Sequence, residues 1–146
     1  MYRLQTRTNE NLIKLIILRS PTEEQLEEIF DKINKARNKF PSGYQLWIQL
    51  PLGLRAITLK EVDRIDLEAY TCKMKGLKKV VIEAHGHCPA TTKVVQLLKN
   101  IYNSINIPNT VTANKADALR FLNLLWRPVS GLDRPLSLFQ ATGAPF

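Results

Sequence analysis

A short apolar run, a loop and then an amphipathic helical stripe follow one another three times in this chain, and that alternation leaves few folds open. Leu12 to Leu18 leads into Leu26, Ile29, Phe30, Ile33, Ala36 and Phe40. Tyr44 to Leu50 leads into Val62, Ile65, Ala69 and Cys72, and Lys78 to Ala84 into Val94, Leu97, Leu98, Ile101 and Ile105. Apolar residues three and four apart bury one side of a helix, whereas the short runs suit strands. Strands that alternate with helices build a largely parallel sheet with helices packed on it.

The ends of the chain add to that pattern. Tyr2, Leu4 and Thr6 alternate ahead of Asn9-Glu10-Asn11, which predicts an opening hairpin and one antiparallel edge. Ile107 to Ala113 carries Pro108 and predicts a short edge strand, because proline cannot donate to a ladder. Asn114 then caps a last helix with the stripe Ala118, Leu119, Leu122, Leu125 and Trp126, ended by Pro128. The expected fold is α/β, in the order β-β-α-β-α-β-α-β-α. Its mixed, largely parallel sheet has four to five strands, with about four helices.

Local signals set the boundaries. Ser20-Pro21-Thr22-Glu23 predicts a helix start with Ser20 as cap, Pro21 in the first turn and Glu23 closing a capping box; Pro41-Ser42-Gly43 ends that helix. Tyr44, Leu46, Ile48 and Leu50 share one strand face, with Trp47 between polar neighbours on the other. Thr58 and Glu61 form a second box, and Gly76 stops the helix they open. Cys72 falls on its inward side.

The chain has 146 residues, enough for one domain with a sizeable core. That domain is read over 1–126, with a Pro-containing tail over 127–146 that is partly ordered or docks on a partner. Its two cysteines, Cys72 and Cys88, lie in different predicted elements, and no signal-peptide pattern opens the sequence, so free thiols in the cytoplasm are expected. No apolar run reaches the roughly 18 residues of a membrane span.

A formal net charge of +8 raises the question of anionic partners. Most of the excess lies beyond residue 76, in Lys78, Lys79, Lys93, Lys99, Lys115, Arg120, Arg127 and Arg134. These are scattered, without basic blocks or interleaved aromatics, which argues against nucleic acid as the partner. Peripheral contact with an anionic surface stays open.

Ready-made acid, base and thiol chemistry gathers in His85-Gly86-His87-Cys88, at a predicted strand-to-helix junction. Ligands of open α/β sheets bind at such carboxyl ends. Cys88 at a helix amino terminus would have a lowered pKa, which suits a nucleophile with His85 or His87 as base. The His-Cys-x5-Arg phosphatase signature fails, since Val94 stands where the arginine should be, and Cys88-Pro89-Ala90-Thr91 lacks a second cysteine for dithiol exchange. His85, His87 and Cys88 offer three metal donors, but adjacent residues of an extended chain point to opposite faces, so no metal or other cofactor is expected. Neither G-x-G-x-x-G nor G-x-x-x-x-G-K-[ST] occurs. An anion could still rest on the helix start with Thr91, Thr92 and Lys93, beside His85 and His87. Asp63, Asp66 and Glu68 do not converge and read as a solvated face.

The order of elements, with Val111-Thr112-Ala113-Asn114 leading into Ala116-Asp117-Ala118-Leu119-Arg120-Phe121-Leu122, resembles the STAS-like superfamily of anti-sigma factor antagonists and lipid-carrier-like relatives. The resemblance covers about residues 1–126 and implies a STAS-like α/β domain with a regulatory role. Phosphorylated members of that group carry Asp-Ser-Ser-Gly or a near variant before the second helix. Here the stretch reads Leu50-Pro51-Leu52-Gly53-Leu54-Arg55-Ala56-Ile57-Thr58. Thr58 is its only hydroxyl and is already the capping residue, so no family phosphosite carries over.

The expected function is a non-catalytic regulatory or binding module that recognises a protein partner or a small apolar or anionic ligand. The alternative is an enzyme using Cys88 with His85 or His87. An apolar tail and an exposed edge strand favour a homodimer.

Overall fold

The computed structural model describes residues 1–85 and 88–123. Tyr2–Arg7 (β1) and Leu12–Ile17 (β2) form the opening hairpin, and Glu23–Ala36 (α1), Tyr44–Leu50 (β3), Leu59–Met74 (α2) and Leu77–Ala84 (β4) follow. Pro89–Ser104 (α3), Asn109–Thr112 (β5) and Lys115–Phe121 (α4) complete the expected order. Five strands lie side by side in chain order, β1-β2-β3-β4-β5. β1 is antiparallel to β2, and the other neighbours are parallel.

Strand order explains the layering. When each parallel strand is added on the same side of the last, right-handed crossovers deliver every connecting helix to the same face. The side chains buried on α1, α2 and α3 accordingly join Ile13, Leu15, Leu46, Ile48, Val80 and Ile82 in one core. The opposite face packs Leu12, Trp47 and Val81 against Ala118, Leu119 and Leu122 of the α4 region.

One expectation is corrected at the start of α1. Ser20 does not cap α1: Thr22 does, accepting from Gln25 N while the Gln25 side chain accepts from Thr22 N. The helix starts at Glu23, so the reciprocal pair three residues apart is Thr22 and Gln25, and Ser20 is left for another partner. Trp47 shares a strand face with Gln45 and Gln49, as the alternation predicts. It is fully buried, because Leu119 and Leu122 are carried over it.

A second correction falls at the end of α4, which stops at Phe121 with Leu122 as C-cap and Asn123 at φ +59°, short of the stop expected at Pro128. The left-handed Asn123 cannot continue the helix. The other boundaries hold to within a few residues. Thr58 caps α2 with Glu61 as its reciprocal partner, and Asn114 caps α4 through Asp117 N. Cys72 is buried, and burial raises its thiol pKa. Gly76 ends α2 with φ +108°, where a Cβ would stand 3.1 Å from Gly43 Cα; the tight approach lets Tyr44 N donate to Gly76 O at 2.9 Å and start β3. Pro108 directly precedes β5, which among the described residues pairs with β4 alone. No helix among the described residues is long and apolar enough to cross a membrane. The tail over 127–146, with Leu125 and Trp126 before it, lies outside the described residues.

Candidate functional site

Because β2, β3 and β4 are parallel, the loops that leave them meet at one end of the sheet. These are 18–22, 51–58 and 85–88. Beneath the first two lies a cavity of about 130 Å³ between the sheet and the helical layer. Leu15 and Ile48 form its floor, Ile29 and Ile33 of α1 one wall, and Val94 and Leu98 of α3 another. Each is a core position that the apolar spacing predicts. Their enclosure of a space is a property of how three helices meet a twisted sheet.

The polar part of the cavity's rim centres on Arg55. Arg55 donates to both carboxylate oxygens of Glu61, at 2.9 and 2.6 Å, and to the carbonyls of Pro21 and Ala56. Its backbone N–H donates to Ser20 Oγ at 2.8 Å, which is the use the fold makes of the displaced cap residue. Glu61 is buried and also accepts from Thr58 N. Arg55 beside it, and then the Thr58 donors, hold its carboxyl down to about 2, against the upward push of burial. The fork-to-fork pair thus ties the 51–58 loop to the start of α2, and the bonds from Arg55 to Pro21 and Ser20 tie the same loop to the segment before α1. Glu23, Glu24, Glu27 and Asp63 border the adjoining groove, so the approach to the mouth is acidic, with Lys60 and Arg64 partly offsetting it.

The His/Cys junction is placed at the same end but works differently. His85 is exposed, and its Nε2 lies 2.7 Å from Glu83 Oε2, while the other oxygen of that buried carboxylate accepts from Trp47 Nε1 at 2.9 Å. The hydrogen bond of His85 therefore joins the Trp47 face of the sheet. Cys88 is the N-cap of α3 with Pro89 behind it. The N–H and hydroxyl of Thr91, then the N–H groups of Ala90 and Gly53, hold its thiol below the ordinary range. The Thr91 hydroxyl has one proton, however, and at 3.3 Å the Pro51 carbonyl also claims it.

Thr91 is buried, and its Oγ1 also accepts from Leu54 N at 3.3 Å, so it fastens the 51–58 loop to α3. Thr92 and Lys93 are exposed on the first turns of α3. Thr58 Oγ1 donates to Glu61 Oε1 at 3.1 Å and accepts from Glu61 N, so its hydroxyl is engaged in the cap. His87 and Gly86 lie outside the described residues.

Arg55, Glu61 and Ser20 escape a reading based on motifs. Glu61 is visible only as half of a capping box, and Ser20 only as a cap. Arg55 did carry a signal, as the one charge in the otherwise apolar stretch Leu50 to Ile57. Searches of known proteins add no relative: no family model matches the chain, and no curated protein matches it significantly.

Proposed function

We propose that this chain is a non-catalytic binding module of STAS-like type, and that its ligand is a small apolar molecule held in the cavity behind Arg55 and Glu61. The cavity carries the reading. Its floor and walls are apolar, and among the described residues its only charged lining is the Arg55–Glu61 pair at the mouth. Core space forgoes about 24 cal/mol per Å³, so roughly 3 kcal/mol is open to recovery by filling it. An engineered cavity of roughly 150 Å³ with similar lining takes benzene, which sets the size of ligand. The acidic approach favours a neutral molecule over an anionic one. We place the protein in a reducing cytoplasm, where a ligand-dependent change at the Arg55 loop could be read by a protein partner.

The test is a thermal and calorimetric titration of the full chain with benzene, n-hexanol and hexanoate. The neutral probes should raise Tm, by an amount equivalent to about 2.7 kcal/mol at one hundred times Kd. Hexanoate should bind more weakly. Val94→Phe, which puts a ring into the cavity, should keep the fold and lose the response. No binding of benzene or hexanol to the native chain, or binding undiminished in Val94→Phe, would overturn the assignment.

The setting of Cys88 favours a second reading, a thiol enzyme with Cys88 as nucleophile and His85 or His87 as base. Cys88 should then be alkylated by iodoacetamide at pH 7 well ahead of a free thiol, whose pKa is about 8.5. A rate no faster than that of free cysteine would end it.

A further inference from the structure

β1 is an outer strand of the sheet, and among the described residues it pairs with β2 alone. Which of its backbone groups face outward follows from the register. Leu18 N donates to Met1 O at 3.0 Å, and Met1 stands opposite Leu18 when the pairing of Tyr2 with Ile17 is extended by one residue. Hydrogen-bonded pairs alternate with non-bonded ones in an antiparallel ladder, so Arg3, Gln5 and Arg7 turn their N–H and C=O groups toward β2. Tyr2, Leu4 and Thr6 turn theirs to the open edge. The side chains of these three residues share the α1 side of the strand, where Tyr2 and Leu4 pack on the core. Lys32 and Lys35 of α1, Lys39 just beyond it and Arg3 line one groove along this edge. All four are exposed, and among the described residues no carboxylate lines the groove.

We propose that this edge is the docking surface for an acidic segment of a partner protein, which adds in extended form as a further strand beside β1. An incoming antiparallel strand bonds to the outward groups of Tyr2, Leu4 and Thr6, and the residues directly opposite them point their side chains to the α1 side. That is where the lysines stand. Three alternate residues of a strand span about 13 Å, and Lys32 to Lys39 about 11 Å, so Glu or Asp at every second position finds a cation. Lys32 is held at the edge by the Tyr2 ring, whose centre lies 5.0 Å from its Nζ. Lys32 is also 3.9 Å from Glu28, and Lys35 is 3.1 Å from Asp31, but exposed pairs of this kind are weak and yield to a better-placed carboxylate. Arg3 and Lys39 have no ion-pair partner among the described residues. Charge also selects among occupants. A second copy of this edge would bring its own Lys32, Lys35 and Lys39 over these, like charge on like. Residues 124–146 carry Arg127 and Arg134 against Asp133 alone, and their three prolines lack the N–H that a ladder needs. An acidic strand of another protein meets neither obstacle.

The test is fluorescence anisotropy of the full chain with the labelled peptide Thr-Glu-Val-Glu-Val-Glu-Thr, whose glutamates share one strand face. Binding should saturate and weaken by about fivefold or more between about 50 and 500 mM salt. The peptide with Lys in place of each Glu should not bind. N-methylation at the three Glu nitrogens keeps the charge and removes the donors, so it should abolish binding if the peptide adds as a strand. In the complex, hydrogen exchange at the Leu4 and Thr6 amides should slow by about tenfold or more. Lys35→Glu combined with Lys39→Glu should weaken binding by about tenfold or more with unchanged circular dichroism, since both side chains are exposed. Leu4→Pro, which deletes an outward donor and no bond to β2, is the second variant and should weaken binding as much. No saturable binding overturns the proposal. So does binding indifferent to N-methylation or to the lysine substitutions, and so does protection of the Leu4 and Thr6 amides in the free chain, which would mean that the edge is already occupied.

Discussion

The two faces of the sheet are built on opposite principles. Toward α1, α2 and α3 the sheet offers almost purely aliphatic side chains, and the packing leaves a cavity of about 130 Å³ among them. Toward α4 it carries charged and polar side chains on the same strands, yet they find partners. Lys14 places its ammonium 4.0 Å from the centre of the Trp47 ring, and Trp47 in turn donates to Glu83, which holds His85. Burial pushes the Lys14 ammonium below its ordinary range, with the Glu83 carboxylate acting in the opposite sense. The chemically richer face spends its polar groups on one another, and the chemically plain face keeps the space.

Trp47 is therefore the residue whose loss should hurt most. Trp47→Ala removes a fully buried ring, the platform under Lys14 and one donor to Glu83; truncations of this kind cost about 3–5 kcal/mol. Trp47→Phe keeps most of the volume and deletes only the N–H, so denaturant unfolding should show about 1–3 kcal/mol. Equal losses in the two variants would mean that the polar chain from Lys14 to His85 adds nothing beyond packing. The contrast between the faces would then fail.

Much of this architecture was legible. The periodicities of the apolar residues gave strands, helices and their order, because burial on one side of each element is a local pattern. Thr58–Glu61 and Asn114 were readable as caps for the same reason. What could not be read is what depends on distant residues meeting. Trp47 looks half polar until α4 covers it, and Gln45 and Gln49 beside it are only partly buried. Ser20 and Thr22 are both good caps, and which one serves depends on where Arg55 arrives, 35 residues away. The cavity has no sequence signal at all, since its lining is indistinguishable from ordinary core. His85 is prominent by its chemistry, but its hydrogen bond to Glu83 on the Trp47 face carries no motif of its own.

The Arg55–Glu61 closure should register less than Trp47 and through pH. A carboxyl held down to about 2 in the folded chain contributes stability above its ordinary value near 4.5, and that contribution is lost as pH falls toward 2. Arg55 is nearly half exposed, so solvent reduces the effect to about 1–2 kcal/mol. Native chain and Glu61→Gln should differ in Tm by the corresponding amount at pH 6 and converge near pH 2. Arg55→Ala should lower stability similarly and speed the exchange of hexanol or benzene, because it removes the side chain at the rim and leaves the apolar lining as it is. A constant difference across pH would show that Glu61 acts only as a cap.

His85→Ala should have the smallest effect, and it separates the faces most directly. The side chain of His85 is 52% exposed, and an exposed pair of this kind is worth at most about 1 kcal/mol. Glu83 keeps the Trp47 N–H, so its buried carboxylate is not left without a donor. Chemical unfolding should therefore shift by less than about 1 kcal/mol, and the affinity for benzene should be unchanged, because His85 lies on neither the floor nor the mouth of the cavity. If His85→Ala abolished binding while Arg55→Ala spared it, the ligand would belong to the His85–Cys88 junction, and the plain face would be packing alone.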